Sequence, residues 1–342
     1  MLSTPLLGAE AGHGVLQCGT ITLQQPMGVG TNKWGPGAKF SQDNIGQALE
    51  VSLRAGVTLL NTAQLYDTSE ACIGSLRKSV PNGECTVIVS KFASLNKKPA
   101  DLIPTLRKTL ADLQMEAVDA FLVHHPKGEL KELAEQLADA QQQGLAHNVG
   151  VSNFGEAQLR EFHGLLEARG VPLIFNEIEF SLLERSAESF GLLRTCKDLG
   201  ITVLAWAPLA SGRLTEKESV GNITHGPTVA VLRETQAIAK ARDKTVAQVA
   251  INWCICKGTV PIPGARTRAQ AVDNAGALGW RLTEQEVARL DAVAMDGNGM
   301  YDSPDAILTF LGEPRFCKAC VRCSVRCLLR CVKRCMPYLS PY

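Results

Sequence analysis

The sequence lacks any long apolar segment. No apolar run among the 342 residues reaches the roughly 18 residues that a membrane-spanning helix needs, so no transmembrane segment is predicted. The first 25 residues contain no lysine or arginine, which argues against a secretory signal and against an arginine-rich transit peptide. We therefore expect a soluble cytoplasmic protein, and an organellar location stays open if the N-terminus is incomplete.

Net charge is small and aromatic residues are few. The formal net charge of +1 gives no argument for a nucleic-acid partner, so none is predicted. The charge is unevenly distributed, because residues 315–334 carry seven lysines and arginines and no acid. The rest of the chain therefore has a net charge of about −6. Aromatic residues make up only 5% of the chain, so a ligand pocket dense in aromatic rings is not expected.

Half of the 12 cysteines lie in this basic tail, within FCKACVRCSVRCLLRCVKRC (316–335). The first four have the spacing of a bacterial iron–sulfur run, but Leu328 stands where proline normally follows. As a helix, the tail would carry its cysteines on one broad face. Three interpretations stay open: an unstructured tail, one that binds a metal or a protein partner, and one that attaches to an anionic membrane surface. The six scattered cysteines favour a reducing compartment.

Short β-rich apolar runs alternate with helical patterns along the chain. Strands are predicted at 27–31, 57–62, 86–92, 118–125, 146–152, 173–180, 201–208 and 259–265. Helices are predicted at 43–55, 69–79, 100–113, 129–143, 156–169, 187–199, 228–257 in two pieces, and 268–279. Strands that are each followed by a helix pair in parallel, and near-continuous apolar runs suit strands that are covered on both faces.

This order predicts an α/β protein with a (β/α)8 TIM barrel over residues 26–300, since such a barrel takes about 250 residues. A doubly wound sheet would favour a G-x-G-x-x-G turn after the first strand, and GVGTNKWG (28–35) does not supply it. Residues 1–25 are assigned to an N-terminal segment, either a hairpin or flexible. Residues 301–342 are assigned to a C-terminal extension.

Functional side chains of a TIM barrel collect at the C-terminal ends of its strands. Polar residues stand at these ends: Thr31, Asn61, Lys91, His124, His125, Ser152, Asn153 and Glu177. Tyr66 follows the second strand. Tyr66, Lys91 and His124 form a candidate proton-transfer site, because an ammonium lowers the pKa of a nearby phenol and an imidazole can orient its hydroxyl. Each residue alone is more commonly structural, but together they favour chemistry.

The chain resembles the aldo-keto reductases over about residues 26–295. Several motifs occur in the order of that family: GVTLLNTAQLYDTSEACIG (56–74), VSKF (89–92), VDAFLVHHP (118–126), GVSNF (150–154), NEIEFSLLER (176–185), LAWAPLASGRLT (204–215) and IPGARTRAQAVDNAGALGWRLTEQEV (262–287). The resemblance implies a TIM barrel that binds NADPH without a Rossmann fold and reduces a small-molecule aldehyde or ketone to an alcohol.

The resemblance also implies roles for single residues. Tyr66 matches the general acid, Lys91 its lysine partner and His124 the family histidine. The matched cofactor positions are Gly30, Thr31, Ser152, Asn153, Glu177, Trp206, Pro208, Leu209, Ser211, Gly212, Gly264, Arg266, Gln270 and Asn274. NADP is favoured over NAD, because a guanidinium makes paired hydrogen bonds to a 2′-phosphate. The expected substrate pocket takes in Trp34, His125 and residues 211–228 and 297–314, and no metal ligand is expected.

Three positions depart from the family pattern. Asn61 replaces an aspartate that pairs with the lysine, so the charged form of Lys91 is expected to lose a carboxylate partner. Glu177 replaces a common glutamine, and its charge would favour the oxidised nicotinamide unless it faces solvent at a surface-oriented strand end. Trp206 replaces an aromatic residue, usually tyrosine, and is expected either to stack on the cofactor or to lie in the core, or both.

The expected consequence is reductase activity that is weakened and not abolished, and an Asn61→Asp variant should then not lower turnover. An alternative interpretation comes from a different class. In it the barrel binds the nucleotide but works as a redox sensor or partner-binding subunit, with the cysteine-rich tail as its interaction arm. The changes at Asn61 and Glu177 favour this alternative, whereas Tyr66, Lys91 and His124 together favour the enzyme.

Overall fold

The structure, a computed structural model, describes residues 15–35, 41–95, 97–215 and 227–294. The cysteine-rich tail, residues 297–314, residues 1–14 and most of the loop 211–228 lie outside the described residues, so what was expected of them stays a prediction. None of the helices within the described ranges is long and apolar enough to cross a membrane.

Ten strands are described: β1 (Leu16–Cys18), β2 (Ile21–Leu23), β3 (Gly28–Gly30), β4 (Leu59–Asn61), β5 (Val87–Phe92), β6 (Val118–Val123), β7 (Ala146–Ser152), β8 (Leu173–Glu179), β9 (Thr202–Trp206) and β10 (Val260–Pro261). The helices are α1 (Gln42–Arg54), α2 (Ser69–Ser79), α3 (Leu102–Leu113), α4 (Leu130–Gln142), α5 (Glu156–Glu167), α6 (Ser186–Ser189), α7 (Leu192–Asp198), α8 (Pro227–Arg242), α9 (Val246–Cys256), α10 (Arg268–Ala275) and α11 (Glu284–Val293). Three short 3-10 helices lie at Gly83–Cys85, Pro99–Asp101 and Ala210–Gly212.

Strands β3 to β10 form one parallel sheet in sequence order, and a parallel bridge between Gly30 and Gly264 joins its two edges. The Gly30 N–H donates to the Pro263 carbonyl oxygen at 3.0 Å. A Cβ atom on Gly30 would lie 2.9 Å from the carbonyl oxygen of Ile262, so a residue without a side chain lets the edges approach. The predicted (β/α)8 TIM barrel is confirmed.

Hydrophobic patterning places the helices around the sheet. In α4 the buried residues Leu133, Ala134, Leu137 and Ala138 recur at helical spacing, which gives one apolar face toward the barrel. The predicted helix 187–199 is instead split into α6 and α7, because Gly191 takes a left-handed φ of 82°. That conformation interrupts helical hydrogen bonding and is accessible to glycine at little cost.

The hairpin formed by β1 and β2 covers the N-terminal end of the barrel. Cys18, Ile21 and Leu23 pack in one buried cluster with inward-facing strand residues such as Leu122. The hairpin is also tied to the start of β7, since the Thr20 N–H donates to the Asn148 side-chain oxygen at 3.0 Å. With this end covered, the C-terminal end of the strands is the place left for a ligand.

Candidate active site

The side chains of Asn61, Lys91 and Glu177 meet inside the barrel at the ends of β4, β5 and β8. Lys91 Nζ donates to Asn61 Oδ1 at 2.8 Å and to the Thr62 carbonyl oxygen at 2.9 Å. It forms an ion pair with Glu177 Oε1 at 3.3 Å. Asn61 Nδ2 donates to Glu177 Oε2 at 2.6 Å. The Lys91 and Glu177 side chains are 0% and 2% exposed, so water hardly screens the pair.

The expectation that Lys91 lacks a carboxylate partner is wrong. Glu177 supplies that partner from β8, which lies on the opposite side of the barrel from β4. The carboxylate is therefore neither at the surface nor an unbalanced charge. Asn61 and Glu177 are 116 residues apart. The signal for their pairing was already present, because an amide stands where an acid was expected and an acid where an amide was expected. The contact between Lys91 and the Thr62 carbonyl oxygen could not be predicted in this way, because a backbone carbonyl leaves no trace in the residue type.

Tyr66 and two histidines lie beside this buried cluster. Lys91 Nζ is 5.0 Å from the centroid of the Tyr66 ring. The rings of Tyr66 and His124 meet edge to face with their centroids 5.9 Å apart. His125 stacks on His124 at 4.7 Å. The structure thus brings together the three residues for which a proton-transfer role was predicted.

Burial raises the pKa of Tyr66 above its ordinary value, and this effect outweighs the positive charge of Lys91, which acts to lower it. The charge of Glu177 adds to the increase. The expected lowering by the ammonium is present, but desolvation is the larger effect. The Tyr66 hydroxyl is therefore protonated at neutral pH, which is the form that can give a proton to a developing alkoxide.

The two stacked histidines are neutral at pH 7. Burial lowers the pKa of His124 well below its ordinary value, and the charges of Lys91 and His125 add to this effect. Burial, and then Lys91, lowers the pKa of His125 to about 4. His124 Nδ1 is buried and has no hydrogen-bond partner within the described ranges. A neutral imidazole can either donate or accept a hydrogen bond, so the pair suits contact with a neutral polar ligand.

These histidines should make the stability of the fold depend on pH. The ordinary pKa of histidine is 6.5, and that of His125 in the folded protein is about 4. The stability that depends on this neutral histidine is fully present above pH 6.5 and is lost as the pH falls from there through about 4. When the pH is lowered from 7.5 to 5, the free energy of unfolding of the wild type should fall by on the order of 2 kcal/mol more than that of a His125→Asn variant. Denaturant unfolding measures both values. His147→Gln, at an exposed position, is the control. An equal fall in the free energy of unfolding in the wild type and in His125→Asn would contradict the lowered pKa of His125.

Ser152, Asn153 and Trp206 lie beside the histidines at the ends of β7 and β9. Asn153 Nδ2 donates to the His124 carbonyl oxygen at 3.1 Å, and Trp206 Nε1 donates to Asn153 Oδ1 at 3.2 Å. Ser152 Oγ donates to the Glu177 carbonyl oxygen at 3.1 Å. Asn153 has a left-handed φ of 62°, which asparagine tolerates better than most residues. The predicted nicotinamide contacts are thus gathered at one place.

Residues 207–212, which directly follow β9, form an unusual turn. Four of them have left-handed φ values of 50°, 48°, 58° and 95°: Ala207, Ala210, Ser211 and Gly212. Pro208 and Leu209 complete the turn. The N–H groups of Ala210 and Gly212 donate within the turn, to the carbonyl oxygens of Ala207 and Leu209, and turns with such left-handed residues can form concavities that bind anions such as a pyrophosphate. A Cβ on Gly212 would meet nothing within 4 Å, so the turn is open there.

The predicted adenosine contacts also come together. The Arg266 N–H donates to Gln270 Oε1 at 2.9 Å, and Asn274 Nδ2 donates to the Gly264 carbonyl oxygen at 3.4 Å. Arg266 and Arg268 stand at the start of α10, where backbone N–H groups and the helix dipole favour a negative charge. Guanidinium groups at this position fit a phosphate, and together with the turn at 207–212 they fit a phosphorylated dinucleotide.

Three predicted contacts are placed differently. Trp34 is 1% exposed, packs in the main core, and donates from Nε1 to the Ala265 carbonyl oxygen at 2.8 Å. This burial does not fit the expected pocket wall. Thr31 is fully buried and its hydroxyl donates to the Asn61 carbonyl oxygen at 2.9 Å. Gly30 belongs to the barrel closure, so cofactor contacts of Gly30 and Thr31 stay predictions.

The barrel brings a tyrosine, a lysine and a histidine together at the ends of its strands. Beside them lie donors that fit a dinucleotide. This combination is typical of a class of oxidoreductases. The model of the Aldo/keto reductase family matches residues 26–295. The chain belongs to the aldo-keto reductase family. As a member it is an NADP-dependent oxidoreductase, since these enzymes use NADP(H).

Relatives and solved structures agree with this assignment. The chain is 35% identical over 304 residues to the chloroplastic pyridoxal reductase of Arabidopsis thaliana, covering 79% of this chain and 83% of that protein. It is 26% identical to the glyoxal reductase of Bacillus subtilis, covering 77% and 87%. A thermostable aldo-keto reductase solved with the inhibitor epalrestat superposes with a TM-score of 0.70 at 27% identity, covering 82% of this chain and 99% of that one.

Proposed function

We propose that this protein reduces an aldehyde to an alcohol with NADPH, and that Tyr66 is the general acid. The observation that carries the proposal is a protonated Tyr66 next to Lys91 and His124 at the C-terminal end of the barrel. A lone tyrosine at a strand end would carry little weight. A half-buried tyrosine beside an ammonium and a neutral imidazole has the partners that carbonyl protonation needs.

Each of these residues has one part in the reaction. A bound NADPH would supply the hydride that reduces the carbonyl carbon. The Tyr66 hydroxyl gives its proton to the carbonyl oxygen, so the product is an alcohol and the tyrosine becomes a phenolate. Lys91 stabilises that phenolate by its positive charge, and a proton from solvent restores the acid. His124 orients the carbonyl oxygen by a hydrogen bond.

The same geometry supports a set of residues that would hold the cofactor. Ser152 and Asn153 would bind the nicotinamide carboxamide and Trp206 would stack on the ring. The turn at 207–212 would hold the pyrophosphate. Arg266 would bind the 2′-phosphate, with Gln270, Asn274 and Gly264 beside it at the adenosine end.

The substrate class is drawn from the wall of the site and from the relatives. The stacked pair of His124 and His125 gives this wall polar ring edges, which suits a polar aldehyde better than a purely apolar ketone. Two relatives are named for the reduction of pyridoxal and of glyoxal. We place pyridoxal first among the substrates to test, because the 35% identity is with its reductase.

The sensor alternative loses its main argument. It rested on the missing charge at Asn61 and the extra charge at Glu177, and these two side chains together give Lys91 one carboxylate partner. Its remaining support is the cysteine-rich tail, which lies outside the described residues.

The direct test is NADPH oxidation, followed by absorbance, against pyridoxal, glyoxal and a panel of ketones, with NADPH titrated by fluorescence in parallel. We expect turnover with an aldehyde. Tight NADPH binding without turnover on any carbonyl would support the sensor alternative. Failure to bind NADPH would contradict both.

Cofactor preference gives a second test. Arg266→Ala should raise the KM for NADPH by about 10- to 100-fold, because a charge-assisted contact to the 2′-phosphate is lost. The KM for NADH, which has no 2′-phosphate, should stay the same. Arg194→Ala, whose side chain is 87% exposed on α7, is the control. An equal rise for both cofactors would mean that Arg266 does not read the 2′-phosphate.

A further inference from the structure

We propose that Glu177 is the positioning residue that gives the ammonium of Lys91 its buried ion-pair partner and holds it beside Tyr66, and that positions 61 and 177 form an exchangeable amide–acid pair. In this pair the negative charge can be moved from residue 177 to residue 61 with function retained. The kinetic part of the inference rests on the proposed reductase function, and the unfolding part does not.

The contacts of Lys91 show which group neutralises it. Its ammonium meets three acceptors: Asn61 Oδ1, the Thr62 carbonyl oxygen and Glu177 Oε1, at 2.8, 2.9 and 3.3 Å. Of these three, Glu177 alone carries a negative charge. A fully buried ammonium needs a counter-charge, because hydrogen bonds to neutral groups do not offset the loss of hydration. The two nearest contacts therefore orient Lys91, and the longer one balances its charge.

The amide of Asn61 is used at both ends. Its oxygen faces the ammonium of Lys91, and its nitrogen faces Glu177 Oε2 at 2.6 Å. This assignment follows from chemistry, since only an acceptor suits the ammonium and only a donor suits the carboxylate. An amide at position 61 thus matches an acid at position 177. An acid at position 61 would need an amide at position 177, and the amide nitrogen at 177 would then donate to the carboxylate at 61.

The single changes break this complementarity in opposite ways. Glu177→Gln leaves the buried Lys91 without a counter-ion. Asn61→Asp sets two carboxylates about 2.6 Å apart around one ammonium, where they repel each other and one takes up a proton. Asn61→Asp weakens the positive field at Tyr66, and Glu177→Gln removes the counter-charge that holds the ammonium of Lys91 in place beside Tyr66. The structure therefore reverses the sequence-based expectation that Asn61→Asp does not lower turnover. The double variant Asn61→Asp/Glu177→Gln keeps one acid, one amide and the ammonium.

The experiment compares the wild type, both single variants and the double variant. With the best aldehyde, we expect kcat to fall by about 10- to 100-fold in each single variant and to return to within about threefold of the wild type in the double variant. The loss of rate at alkaline pH should begin at lower pH in Glu177→Gln, because the charge of Glu177 no longer raises the pKa of Tyr66, and should return to its original position in the double variant. Glu135→Gln, an exposed change on α4, is the control for loss of an acid.

Thermal unfolding without cofactor gives a measurement that does not need turnover. Each single variant should unfold about 5 °C or more below the wild type, and the double variant should recover most of that difference. A wild type that reduces no carbonyl while this pattern holds would contradict the proposed function and leave the charge exchange supported. A Glu177→Gln variant with wild-type kcat and unfolding temperature would overturn the inference, as would a double variant that is no better than the worse single variant in both measurements.

Discussion

We expect Tyr66→Phe to lower kcat by about 10²- to 10⁴-fold, which is the range that a positioned general acid contributes. Only the hydroxyl is removed, so the ring keeps its edge-to-face contact with His124. Without the hydroxyl, the alkoxide that forms at the substrate loses the proton donor proposed for it. NADPH should bind as before, because the predicted cofactor contacts lie on other residues.

Steady-state kinetics with the best aldehyde and a fluorescence titration with NADPH check this result together. A fall in kcat with an unchanged Kd for NADPH assigns Tyr66 to the chemical step. A Tyr66→Phe protein that retains more than about a tenth of the wild-type kcat would remove Tyr66 from the role of general acid. The unfolding temperature, expected to stay within a few degrees of the wild type, controls for damage to the fold.

Lys91→Met is expected to have the second large effect, on activity and stability at once. It removes the charge proposed to stabilise the Tyr66 phenolate, and it leaves the carboxylate of Glu177 buried without its ion-pair partner. Breaking a buried pair from one side costs about 3–5 kcal/mol. Methionine keeps much of the volume and shape of the lysine stem, so the loss comes from the charge and not from a cavity.

The variant Lys91→Met/Glu177→Gln separates the two effects. It removes both charges, so the free energy of unfolding should return toward the wild-type value while kcat stays low. Denaturant unfolding and aldehyde turnover measure the two quantities independently, and Lys131→Met on the exposed surface of α4 is the matched control. A double variant that regains activity would show that the charge of Lys91 is not needed for catalysis.

Strand and helix order could be predicted from the chain because it depends on local patterns. A run such as VDAFLV in β6 is buried along most of its length, and parallel strands covered by helices require such runs. Predicted strands extended further than the observed ones at the active-site end: the run 118–125 stops at Val123, before His124 and His125. Polar residues there leave the sheet to face the site, which a hydrophobic pattern does not register.

Membership of the family, and the grouping of Tyr66, Lys91 and His124, were also accessible, since motif spacing fixes which strand end carries each residue. The placement of Trp34 was not. A tryptophan in a strand-end loop looks available to a ligand. Its burial in the main core and its hydrogen bond to the Ala265 carbonyl oxygen show that it is a core residue.

The sequence by itself determined the barrel, the family and the set of residues at one end of it. The tertiary structure decided the electrostatics of the site. Asn61 and Glu177 looked like two separate defects, because nothing in the local sequence brings together residues 116 positions apart. Closure of the barrel brings them into contact across its interior and gives Lys91 its carboxylate. Burial, which is a property of the whole fold, likewise decided that Tyr66 keeps its proton.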